Sequence, residues 1–216
     1  DYGARVPRRL VEGTSGLASW RASRTWRCQS ITSPVTSKSF FTHVSAFVED
    51  DAEVGEGTQI WHHVHVRSGA KIGSRCVLGK NVYVDTDVII GNGCKIQNNV
   101  NVYRGVLIDD DVFVGPSATF TNDLTPRAFL DDWAIKETYV ERGASIGAHA
   151  TIVCGVRLGA FCMVAAGATV TRDVAAHELV VGTPARNAGW VCRCGVVVSR
   201  SQGCPDDLTC STCSDR

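Results

Sequence analysis

The sequence predicts an all-β protein, a parallel β-helix wound from six-residue repeats, and three observations predict it. An aliphatic or aromatic residue returns every sixth place at Val48, Val54, Ile60, Val66, Ile72, Leu78, Val84, Ile90, Ile96, Val102, Ile108, Val114 and Phe120, then at Val140, Ile146, Ile152, Leu158, Val164 and Val170. With a hydrophobic fraction of 44%, so long a run without a miss arises by chance roughly once in a million. Six is a multiple of the strand period of two and not of the helical 3.6, so all markers share one interior only if the chain is extended. Two places before the markers sit small or short-branched residues, among them Ala52, Thr58, Ala70, Cys76, Cys94, Ala118, Ala144, Cys162 and Ala168, which fit inside a tight corner. Three hexads close one triangular coil, so residues eighteen apart should stack.

In chain order, residues 1–39 stand outside the repeat and carry six Arg, seven Ser and only two acids, Asp1 and Glu12. Such a leader is expected to be disordered or not native to the mature chain; the same composition fits an organelle transit peptide. The β-helix domain is expected over 40–186. Glycine follows many markers, as at Gly55, Gly73, Gly79, Gly91, Gly115, Gly147 and Gly159, which suits the turn after each short strand. Twenty residues separate Phe120 from Val140, two more than a coil, so 121–139 should bulge out as a loop on a rigid scaffold, where chemistry tends to sit. Two further coils run from Val140 to Val170. The segment 171–186 is then expected to leave the helix, with Pro184 ending any regular pattern. A Cys-rich tail, 187–216, closes the chain.

Twenty-two Lys plus Arg balance twenty-two Asp plus Glu, which gives no electrostatic case for a nucleic-acid partner. No apolar run reaches the length of a membrane-spanning helix, so no membrane insertion is expected and a cytoplasmic location is the default. Of ten cysteines, Cys76, Cys94 and Cys162 fill inward slots of the repeat and five crowd into the tail, a distribution that reads as a reduced protein. Within the tail, Cys192-x-Cys194 and Cys210-x-x-Cys213 offer four thiolates to a structural zinc. The first pair lacks the usual two-residue spacing, so the spacing leaves metal binding open. His62, His63 and His65 invite a metal reading as well, but neighbours on a strand alternate faces and cannot converge on one ion.

The runs IWHHVHVRSGAKIG, VLGKNVYVDTDVIIGNGCKIQNNVNVYRGV, DDDVFVGPSATFTNDLTPRA, GASIGAHATIVCGV and VVGTPARNAGWVCRCG resemble the left-handed β-helix N-acetyltransferases of bacterial surface polysaccharide biosynthesis. Within them the sequence is most similar to those acting on the 3-amino group of UDP-2-acetamido-3-amino-2,3-dideoxyglucuronic acid. The resemblance spans about Phe40 to Gly195. It implies left-handed coils, a homotrimer with active sites between subunits, acetyl-CoA as donor, and direct transfer in a ternary complex with a nucleotide-sugar substrate. A dTDP-linked 3- or 4-amino-6-deoxy sugar is an alternative substrate, and a non-catalytic β-helix scaffold is the alternative outside enzymes.

The FTN motif of that family places Asn122 on the sugar amine. Spacing agrees that Asn122 borders the loop, with Arg104 eighteen residues behind it, although a corner Asn also suits a turn. Arg104, Gln97, Asn98, Arg127 and Lys136 are the candidates for the sugar and its phosphates. Stacked Asn at 81, 98 and 99 would equally brace corners, and the charges would equally be solvated. For the cofactor, the resemblance points to the backbone of Ala148, Ala166 and Gly167 beside the pantetheine and to Arg172 and Arg186 at the phosphates. Ordinary surface arginines are the alternative.

Overall fold

The computed structural model describes residues 39–130 and 134–213, and among these every regular element is a strand. The expectation for 1–39 lies outside them except at Ser39. Two-residue strands alternate with four-residue corners through most of the chain, because a six-residue period places one marker inward on each side and must then turn. Strands eighteen residues apart pair in parallel, as Gln59 with Val77, Tyr83 with Asn101 and Lys71 with Ile89. Three parallel sheets result. The first runs from Phe41–Thr42 to Met163–Val164, the second from Phe47–Val48 to Thr169–Val170, and the third from Glu53–Val54 to Arg157–Leu158. The prism has three edges: edge one joins the first and second sheets, edge two the second and third, edge three the third and first.

The predicted markers fill the interior. Ile60, Val66, Leu78, Val84, Ile96, Val102, Val114, Ile146, Ile152 and Leu158 are all 0% exposed, and burying each such side chain stabilises the fold by about 1.5–3 kcal/mol. The small slots are as tightly enclosed. Burial pushes the Cys162 thiol up to about 12, so it packs as a neutral group. The hydroxyl of Thr58 donates to Gly73 O at 2.8 Å and accepts from Cys76 N–H at 3.0 Å, which removes the penalty of burying it.

Three features differ from expectation. The first concerns the corners. Outside the loop, the residue three places after each marker from Val54 to Val164 has φ between +56° and +93°, including Asn81, Asp87, His63 and Phe161. Each non-glycine residue held there costs about 1 kcal/mol or more, which the stacking of coils above and below outweighs. The glycine directly after the marker serves a different need, close approach: a Cβ at Gly79 would lie 2.8 Å from Asn98 N, and one at Gly73 would lie 2.6 Å from Gly91 C.

The second difference is the loop, which ends at 137. Thr138–Val140 is already a strand and pairs with Val106–Ile108, because the backbone ladder forms before the inward marker is reached. The third is a further coil where the chain was expected to leave the helix. Val174 bridges Leu158, and Glu178–Val181 adds in parallel to the first sheet with Val180 opposite Val164. Partners are here sixteen residues apart instead of eighteen, since the corner after Val170 is two residues short, and this moves Val174 and Val180 out of the six-residue frame while keeping them buried. The chain then doubles back through Arg186–Val191 and Val197–Ser199, both antiparallel. The strand Arg186–Val191 therefore crosses the 186/187 boundary expected between helix and tail. No helix among the described residues is long and apolar enough to cross a membrane.

Candidate active site at the loop edge

The loop leaves the second sheet after Thr119–Phe120 and rejoins the third at Thr138, so it stands on edge two. Asn122 ties its two ends together. Lys136 N–H donates to Asn122 O at 3.1 Å, and Asn122 Nδ2 donates to Arg104 O at 3.4 Å, which is the stacking over Arg104 that the spacing predicts. Thr121 Oγ1 accepts from Cys154 N–H at 3.0 Å in the coil above. Below, the loop presses on Gly105, where Ile135 Cγ2 occupies the place a Cβ would need. With Nδ2 engaged, Asn122 Oδ1 remains as an acceptor for a ligand N–H.

Two cavities flank the loop. One of about 490 Å³ is lined by Asn122, Asp123, Pro126, Arg127, Ala128 and Leu130. The other, of about 550 Å³, is lined by residues that include Asp87, Arg104, Gly105, Ile135, Lys136 and Glu137. Both volumes lie in the range of small-molecule sites. Four predicted residues, Asn122, Arg127, Arg104 and Lys136, are thus gathered around one loop. Arg104 Nη2 meets Asp87 Oδ2 at 3.3 Å, and Arg127 Nη1 donates to Pro126 O at 2.8 Å.

Beneath the loop edge two runs a charged ladder that sequence reasoning missed. Arg67 Nε donates to Glu49 Oε1 at 2.8 Å, and Arg67 Nη1 reaches Tyr83 OH at 3.1 Å. Tyr83 OH in turn donates to Asp85 Oδ1 at 3.0 Å, and Arg104 N–H donates to Asp85 Oδ2 at 3.2 Å. Burial pushes the Asp85 carboxyl up, but the Thr86 and Arg104 amides, Tyr83 and Arg67 together outweigh it and hold the carboxyl below its ordinary range. The Ser68 amide and His65, with Arg67, hold Glu49 low in the same way against a smaller burial effect. The available signal was opposite charge at Glu49, Arg67 and Asp85, each eighteen residues from the next.

The remaining candidates lie elsewhere on the prism. Gln97 and Asn98 are on edge one, where Lys80 N–H donates to Asn98 Oδ1 at 2.9 Å and Asn81 Nδ2 donates to Asn99 Oδ1 at 3.0 Å. Ala148, Ala166 and Gly167 continue edge one in the late coils, Gly167 N–H donating to Ala148 O at 2.8 Å. Ala166 and Gly167 are exposed, and a Cβ at Gly167 would meet nothing within 4 Å. Arg172 is exposed on edge two above the loop, and Arg186 Nη1 donates to Ala185 O at 2.8 Å. Of the histidines, His62 stacks on His43 at 3.5 Å while His65 turns to Glu49 at 3.0 Å. The tail cysteines 192, 194, 210 and 213 converge, with their Sγ atoms within 4.8 Å of one another.

Comparison with known proteins gives two family matches: the bacterial transferase hexapeptide (six repeats) over residues 51–86 and 87–122, and the hexapeptide repeat of succinyl-transferase over 69–104 and 138–172. The dTDP-3-amino-3,6-dideoxy-alpha-D-galactopyranose 3-N-acetyltransferase of Aneurinibacillus thermoaerophilus is 40% identical over 159 residues, 74% of this chain and 82% of that protein. Serine acetyltransferase 4 of Arabidopsis thaliana is 32% identical over 87 residues, 40% of this chain and 24% of that protein. Among solved structures, PerB from Caulobacter crescentus in complex with CoA and GDP-perosamine is 24% identical, with a TM-score of 0.45 over 69% of this chain and 57% of that one.

Proposed function

The chain belongs to the hexapeptide-repeat acetyltransferases, whose left-handed parallel β-helix it adopts, and on that premise we propose that it is an acetyl-CoA-dependent N-acetyltransferase of a nucleotide-linked amino sugar. The observation that carries this reading is Asn122, held at the loop base with Nδ2 bound to Arg104 O and Oδ1 left to accept. In direct transfer the unprotonated amine attacks the thioester carbonyl. The C–N bond forms, the C–S bond breaks, and the surplus amine proton ends on the departing thiolate. Asn122 Oδ1 accepts one amine N–H and so aims the lone pair, a positioning role that replaces a nucleophilic residue.

The donor is assigned to edge one in the late coils, where Ala166 and Gly167 are exposed beside Ala148 and suit the pantetheine, with Arg172, from edge two, and Arg186 for the phosphates. Ala148, Ala166 and Gly167, like Gln97 and Asn98, stand on a different edge from Asn122 within one chain. Two edges of one prism meet only when another copy supplies one of them, which favours a homotrimer with its sites between neighbours. The amino sugar best suited to Arg127 and Lys136 is UDP-2-acetamido-3-amino-2,3-dideoxyglucuronic acid, whose carboxylate they would pair. A dTDP-linked 3-amino-6-deoxy sugar is the second reading, favoured by the Aneurinibacillus relative. In either case the reaction serves bacterial surface polysaccharide biosynthesis in the cytoplasm.

The test is thiol release from acetyl-CoA with a panel of UDP- and dTDP-linked amino sugars. Turnover on the 3-amino uronic acid alone supports the first substrate, and turnover on the deoxy sugar alone supports the second. No thiol release with any sugar, together with no coenzyme A binding, overturns the enzyme reading in favour of a scaffold.

A further inference from the structure

We propose that Cys192, Cys194, Cys210 and Cys213 hold one zinc ion in a closed four-thiolate site that fastens the segment after the C-terminal hairpin to the turn of that hairpin. The four Sγ atoms come from two short knuckles sixteen or more residues apart and lie within 4.8 Å of one another. Cys194 Sγ and Cys210 Sγ are 3.7 Å apart; a tetrahedral ion with Zn–S bonds of about 2.3 Å sets its sulfurs about 3.8 Å apart. Cys192 Sγ and Cys213 Sγ are 3.0 Å apart, well beyond a bonded pair at about 2.05 Å. All four cysteines are free thiols.

The backbone around them is folded into two tight turns that bring the sulfurs of each pair together. Each knuckle is closed by its own turn, Gly195 N–H to Cys192 O at 2.8 Å and Cys213 N–H to Cys210 O at 3.3 Å. Four protein ligands leave no open position, so the ion is structural and takes no part in acetyl transfer.

The need for a fastening is visible in the chain. From Arg200 to Cys213 there is no strand or helix, yet Cys210 is only 4% exposed. The strand before the first knuckle is well anchored: Val191 N–H donates to His177 O at 2.8 Å and Trp190 Nε1 to Ser201 O at 3.1 Å. At the knuckle itself, Met163 Cε would lie 3.1 Å from a Cβ on Gly195. A metal cross-link therefore joins a segment without a ladder to one that has a ladder. Cys194 and Cys213 also wall a cavity of about 550 Å³ whose other side is Asp111, Arg142 and Phe161 on edge three, so loss of the ion would open it. Cys204 lies outside the cluster, its Sγ near Pro205 O at 3.6 Å, and serves as the control.

The experiment is metal analysis of the full chain purified under reducing conditions. About one zinc per chain is expected, unchanged in Cys204→Ser and reduced at least about tenfold in Cys210→Ser. Should Cys210→Ser fail to fold, cobalt(II) exchanged into the wild-type chain must give the intense visible bands of a tetrahedral four-thiolate centre, and chelation must expose the 192–213 segment to protease while the β-helix stays intact. Protein that takes up no zinc when it is added, a Cys210→Ser variant that keeps its equivalent, or paired disulfides under reducing conditions would each overturn the proposal. Metal content is read without any acetyl transfer, so neither proposal's failure decides the other's.

Discussion

Along edge one the polar corner residues bond to the chain itself: Asn98 Oδ1 takes the Lys80 amide, and Asn81 reaches Asn99. Edge two is made from the same hexads with the same left-handed corner, but its residues are Glu49, Arg67, Asp85, Asp87 and Arg104, and after Phe120 it opens into the loop. Side chains pair from coil to coil on both edges, but the edge-two ladder runs out at the loop, where Asn122, Arg127 and Lys136 border the two cavities. One repeat geometry thus braces the fold along an unbroken edge and presents a site where an inserted loop interrupts the ladder.

The strongest way to break this contrast is Asn122→Ala. Turnover should fall about 10²-fold or more, near 3 kcal/mol of transition-state stabilisation, while thermal unfolding and oligomeric state stay as in the wild type. Unchanged thiol release would remove Asn122 from the mechanism. On edge one the expected effect is structural. Gly79→Ala brings a Cβ to 2.8 Å from Asn98 N and should cost about 2 kcal/mol, read from the denaturant midpoint; a midpoint that does not move would show that the coils can separate at will.

Asn98→Ala is subtler. It leaves the Lys80 amide without its partner and should cost about 1 kcal/mol, with KM for the sugar unchanged. A KM raised several-fold would place Asn98 in the sugar site and erase the distinction between the edges. The smallest effect concerns acid. Because Glu49 is held below its ordinary value by Ser68, His65 and Arg67, the stability it lends is complete above the unfolded Glu range of about 4.3 and is lost as pH falls through the lowered folded value. Glu49→Gln should therefore lose less stability than the wild type between about pH 6 and pH 3, compared by urea midpoints; parallel curves would show that the ladder contributes nothing.

The interior was legible residue by residue because burial depends on a local period: Ile60, Leu78 and Ile96 are inward whatever the rest of the chain does. Asn122 was legible as a border residue because the twenty-residue gap marks where a coil must bulge. Asp87 and Glu137 were not, since they come beside Arg104 and Lys136 only when edge and loop are both in place. The last coil escaped detection because the step from Val170 to Val174 is four residues and shifts every later position out of frame.

Residue spacing alone shows which residues point inward, that eighteen residues make a coil, where the loop interrupts it, and that the tail holds two cysteine pairs. Each follows from spacing along one segment. The folded chain adds that the left-handed strain falls three places after the marker, that the glycines answer to the backbone of the next coil, that Asn122 spends Nδ2 on Arg104, and that four cysteines meet at one point. Those outcomes depend on distances between segments far apart in the chain, which no period encodes.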